Sequence, residues 1–151
     1  MHHFNILNNG LPGETVQGLR HRIPAVAKEV EAPELILVMI GTNNLIIEDY
    51  SFLEHLRQIT ILLTSSYPTA EVIINSLLPC QLPWVTLDTL QRINGSIEAM
   101  THLTGCCYLD IYSKFKPNAD FFQKDGIHLT PKAYDLWSKS ILEFVAFLIE
   151  D

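Results

Sequence analysis

The sequence predicts a three-layer α/β/α sandwich on a mostly parallel sheet, and three observations carry that expectation. Short apolar runs alternate along the chain with longer segments whose apolar residues recur at helical spacing, the pattern of helices covering a parallel sheet. The run Leu35-Ile36-Leu37-Val38-Met39-Ile40 is apolar at every position, as expected of a central strand with both faces covered. A chain of 151 residues with 48% hydrophobic content suffices for one core. Residues 1–151 are therefore expected to form a single domain.

Strands are expected at Phe4 to Leu7, Leu35 to Ile40, Val72 to Asn75 and Cys107 to Leu109. Between them, Val16, Leu19, Ile23, Val26 and Val30 fall on one stripe of a first helix, which Pro24 should kink or divide. Ser51-Phe52-Leu53-Glu54 has the form of a capping box and opens a second helix, with Leu53, Leu56, Ile59 and Leu63 inward. Tyr67-Pro68 ends it. A third helix runs from about Leu87 to Leu103. The last starts at Thr130-Pro131, an N-cap followed by proline at the first helical position, and turns Trp137 toward the core.

Composition narrows the function. Ten basic against seventeen acidic side chains give a formal charge of -7 with no basic run, which opposes binding to a phosphate backbone. Cys80, Cys106 and Cys107 are odd in number and unsuited to a disulfide framework or a spaced zinc motif, so free thiols are expected. The first residues do not read as a signal peptide, and the longest apolar run is too short to span a bilayer. A reducing, cytoplasmic setting fits this pattern.

The polar motifs gather at one sheet edge. Gly10 follows the first expected strand and Asn43 the second, and ligands in open α/β sheets bind beyond the carboxyl ends of the strands. Asp125-Gly126-Ile127-His128 lies just before the last helix. A histidine base needs its tautomer fixed, and a carboxylate three residues earlier can accept the Nδ1 proton across a turn that glycine eases. An asparagine amide is a neutral donor to a developing oxyanion, and a glycine N–H can approach a substrate closely. Asn43 and Gly10 suit those roles, while Trp84, in the proline-rich stretch Leu78 to Trp84, is expected to wall a pocket. Taken singly, each motif has a plainer reading. Asp125 and Gly126 are ordinary turn residues, and Asn43 and Gly10 could shape turns. Asp125 and His128 lack a third metal ligand in sequence. Ser76 also follows a strand, where a strand-end cap is the simpler role.

Taken together, the ordered blocks NNG, GTNN and DGIHLT resemble those of the SGNH hydrolases, also called GDSL-type esterases and lipases. The stretch NNGLPGETVQGLRHRI is similar to that family's second block and its following helix, so the resemblance runs from Phe4 onward. It implies a flavodoxin-like fold and ester hydrolysis through an acyl-enzyme, with a small-molecule ester as substrate and no metal or organic cofactor. It further implies Gly10 and Asn43 as oxyanion-hole donors, His128 as general base and Asp125 as its support. Two departures stand out. The family's nucleophilic serine sits on an earlier strand, and no such block precedes Gly10 here; the expectation is a fold without its first strand, and a chain without a nucleophile. A non-catalytic small-ligand binding module of the same fold is the alternative, and self-association through the unpaired sheet edge is expected in either case. Asn44 stands where an aspartate is usual, which bears on a structural hydrogen bond rather than on the chemistry.

Overall fold

A computed structural model of the chain describes residues 5–115 and 119–150. The elements run α1 (Val16–Glu29), β1 (Leu35–Val38), α2 (Thr42–Ile46), α3 (Leu53–Ser66), β2 (Glu71–Asn75), α4 (Leu87–Thr104), β3 (Cys107–Leu109) and α5 (Pro131–Glu150), with two short 3-10 turns between β3 and α5. The three strands form one parallel sheet in the order β1-β2-β3. This is the α/β arrangement that the alternating pattern predicts. Helix α3 packs against α1 on one side and α4 on the other. The core gathers Phe52, Leu56 and Ile59 from the α3 region, Ile73 and Ile74 from β2, and Leu90 and Ile97 from α4.

Local chemistry explains the helix ends. Thr15 caps α1 by accepting from the Gly18 N–H at 3.2 Å, and Thr86 caps α4 by accepting from the Thr89 N–H at 3.1 Å. Gly105, at φ 73°, closes α4 in the left-handed region. Thr130 receives the Ala133 N–H at 3.3 Å, as expected for the start of α5. Pro24 lies inside α1, which continues through it as one helix.

Three expectations are corrected. Residues 5–7 form no strand but an exposed loop, in which Ile6 is 84% exposed; no described strand lies alongside to take up their backbone groups, and an unpaired strand is not stable in water. Phe4 lies outside the described residues. The all-apolar run is not central either: β2 is, being buried from Val72 to Asn75, whereas β1 stands at the edge with Leu37 40% exposed. Apolarity on both faces reports burial above and below, and says nothing of neighbours in the plane of the sheet. The capping box at Ser51 does not form. Asp49 accepts both the N–H and the hydroxyl of Ser51, at 3.0 and 3.1 Å, and buried Phe52 opens the helix in its place.

Candidate active site

Where β1 ends, the chain must turn sharply, and Gly41 permits it. It adopts φ 125°, and a Cβ there would lie 2.8 Å from Leu77 Cδ2 and 3.3 Å from the Phe52 ring. Any side chain would be strained and crowded at once. The next residues start α2, so the asparagines of GTNN stand on a single helical turn rather than in an open loop. Asn43 is half-buried, and its Nδ2 donates to the Glu14 carbonyl at 3.2 Å. Asn44 is fully buried: its Oδ1 accepts the Val16 N–H at 2.9 Å, and its Nδ2 donates to Gln17 Oε1 at 2.8 Å and to Asp49 Oδ2 at 3.0 Å. The departure at Asn44 thereby acquires a physical account. An aspartate could accept from Val16, but could not donate to the Asp49 carboxylate. Hydrogen bonds from Gln17, from the Ser51 N–H and from Asn44 hold Asp49 down to about 2.

Asp125 and His128 meet as their spacing predicts. Asp125 Oδ1 accepts the backbone N–H groups of Ile127 and His128, each at 2.9 Å, and Asp125 Oδ2 pairs with His128 Nδ1. The imidazole, the two amides and the favourable charge hold Asp125 at about 2, so it stays ionised beside the ring. With Nδ1 turned to the carboxylate, Nε2 is the ring nitrogen left to take a proton. The His128 side chain is 72% exposed.

The proline-rich loop joins these two halves. Trp84 Nε1 donates to the Leu45 carbonyl of α2 at 2.8 Å, and the Gln81 N–H donates to the Gly126 carbonyl at 2.8 Å. Gly126 sits at φ 71°, and a Cβ there would lie 2.7 Å from the Gln81 carbonyl oxygen. The loop is thus a strut between the Asn43 turn and the Asp125 to His128 turn. Its apolar side chains mostly face inward: Leu77, Leu78, Cys80, Leu82 and Val85 are buried, leaving Trp84, 45% exposed, as the large apolar surface it offers.

Asp125 and His128 touch each other, and Asn43 is linked to their turn through Trp84 and Gln81. Gly10 lies in an exposed loop, where its N–H donates to Asn8 Oδ1 at 2.9 Å. Ser76 is fully buried, and its hydroxyl oxygen accepts the Tyr112 N–H at 2.8 Å, the strand-end role expected of it. Sequence reasoning missed Gln17 and Asp49 as partners of Asn44, and Gln81 as the contact of Gly126. The one sequence signal was Asn44 itself, a polar residue between a strand and the buried Leu45.

Known structures share this architecture. The chain aligns with a psychrotrophic esterase, EstA, from Pseudoalteromonas sp. solved as inhibited by monoethylphosphonate, at 16% identity and TM-score 0.79, covering 96% of this chain and 78% of that one. A carbohydrate esterase family 3 structure from Talaromyces cellulolyticus aligns at 19% identity and TM-score 0.77, covering 92% and 70%. A mutant acetyl esterase solved with acetate ion aligns at 18% identity and TM-score 0.77, also covering 92% and 70%. At such identities the likeness is one of fold. No curated protein matches the chain in sequence. Residues 2–136 match the GDSL-like lipase/acylhydrolase family, and the chain belongs to it.

Proposed function

We propose that this chain carries the proton-transfer and oxyanion-binding half of an ester-hydrolysing centre, acting on a small-molecule ester, and that the 151-residue polypeptide has negligible esterase activity by itself. The observation that carries the site is the Asp125–His128 pair, with its carboxylate fixed by two backbone amides. His128 Nε2 would take the proton of an attacking hydroxyl and return it to the leaving alcohol, while ionised Asp125 steadies the imidazolium. Asn43 retains one amide hydrogen beyond its bond to Glu14, and Gly10 would contribute its N–H once released from Asn8. Trp84 would present its exposed ring to the acyl group.

The inactivity rests on the hydroxyls. Among the described residues no serine is hydrogen-bonded to His128, and Ser76 is sealed in the core. Losing the nucleophile of a triad costs about 10⁶ in turnover. With p-nitrophenyl acetate, the purified chain and His128→Ala should both hydrolyse ester at the background rate. Robust turnover that tracks the protein and disappears in His128→Ala would overturn the inactivity and leave the site assignment standing.

One observation favours a non-catalytic binding module of the same fold. Gly10 and Asn43, the two oxyanion donors, both spend hydrogen bonds on their own neighbourhood. Equilibrium dialysis with butyrate tests it: saturable binding lost in Asn43→Ala supports this reading, and no retention contradicts it. We also propose that the chain self-associates through the open edge of β1, which has no partner strand among the described residues.

A further inference from the structure

We propose that the groove between α1 and α3 is a binding site for a small phosphate-type oxyanion. The groove is an open concavity of about 410 Å³, lined by Gln17, Arg20, His21 and Pro24 on one stripe of α1, and by His55 and Leu62 from α3. In a chain of formal charge -7, it brings one guanidinium and two imidazoles into a single concavity.

The partners of Arg20 show what the site lacks. Its Nη1 lies 2.8 Å from His55 Nδ1, and no carboxylate is within ion-pair distance of it among the described residues. Its Nε and Nη2 have no protein partner there, so one edge of the guanidinium fork is unclaimed, the geometry that takes two oxygens of a phosphate or carboxylate side by side. Because His55 Nδ1 accepts from Arg20, the ring proton sits on Nε2 as a further donor. The open fork of Arg20 and the His55 Nε2–H are donors only, a set that suits the several oxygens of a phosphate-type oxyanion.

The nearby acidic groups are already engaged. Glu54 is held by Arg57 at 2.9 and 2.7 Å and by Gln58 at 3.1 Å. Asp49 accepts from Gln17 at 2.8 Å and from Asn44 at 3.0 Å. Glu54 feels the Arg20 charge only at longer range, its hydrogen bonds going to Arg57 and Gln58. Gln17 belongs both to this groove and to the Asn44–Asp49 network, so the anion would sit beside that network rather than at the Asp125–His128 pair.

The test is a titration of the full chain with inorganic phosphate against sodium chloride at fixed pH and ionic strength, read by NMR at the Arg20 Nε–H and the ring C–H signals of His55, His21 and His102. Saturable shifts at Arg20, His55 and His21, with exposed His102 unmoved, are the expected result. Arg20→Gln should weaken binding by about tenfold or more, as losing charge-assisted hydrogen bonds requires. His55→Gln supplies a second variant if Arg20→Gln fails to fold. A linear drift without saturation, equal shifts at His102, or unchanged affinity in a folded variant would overturn the site. Each outcome is independent of esterase activity.

Discussion

Asn44 decides more of the local structure than any group assigned to the chemistry. Its carboxamide accepts at one end of α1 and donates to Asp49, a division that a carboxylate cannot make. Replacing Asn44 by Asp should therefore set two carboxylates about 3 Å apart in a part-buried network and cost roughly 1–3 kcal/mol at neutral pH. Urea denaturation of Asn44→Asp, and of the double variant Asn44→Asp with Asp49→Asn, checks this; the second exchange should restore most of the loss, and an unrescued double variant would refute the account. The same network fixes a pH dependence. Asp49 is held at about 2 in the fold, below its ordinary value of about 3.9. Its contribution is fully present above that ordinary value and is lost as pH falls toward about 2. A carboxyl carbon titration by NMR should show Asp49 and Asp125 both ionised at pH 3, whereas free aspartate is then mostly protonated.

At the scale of elements, the proline-rich loop positions the site by spanning α2 and the turn before α5. Trp84→Phe keeps the ring and removes the indole donor to Leu45, so it should cost about 1 kcal/mol. Gly126→Ala should cost more. The left-handed backbone alone is worth about 1–2 kcal/mol, and the new Cβ meets the backbone of Gln81 rather than a side chain that could swing aside. Thermal unfolding of the two variants ranks them, and a Gly126→Ala protein as stable as the parent would contradict the strut. These contacts were not legible in the sequence, because Gln81 and Gly126 are distant along the chain and nothing in either residue type announces the other. What was legible has local causes. Asp125 and His128 are three residues apart and meet across one turn, and the start of α5 is set by the single hydroxyl of Thr130. Ser51 shows the limit of such signals, since Asp49 claims the hydroxyl that the capping pattern assigns to the helix. The order of strands was equally out of reach, because a run of apolar residues cannot say which strands lie beside it.

Among the described residues the sheet ends at β1 with no further strand beside it, and the residues of β1 do nothing to blunt that edge. Edge strands in stable monomers carry lysine, proline or a bulge that turns away a second strand; Leu35-Ile36-Leu37-Val38 carries none of these, and Leu37 is 40% exposed. A second copy could pair antiparallel about Leu37, which would set Glu34 opposite Ile40 and bring no like charges together, as a two-fold interface requires. The exposed loop side chains Ile6 and Leu7 add apolar surface that this pairing need not leave in water. Sedimentation velocity over a range of micromolar concentrations should then show a monomer–dimer equilibrium. Leu37→Lys places a charge on a position already reached by solvent, so the fold should survive with little change in its unfolding midpoint. The dimer dissociation constant should rise by about tenfold or more. A parent chain that sediments as a monomer at every concentration would remove the edge from consideration as an interface, and a Leu37→Lys dimer as tight as the parent would place the contact elsewhere on the surface.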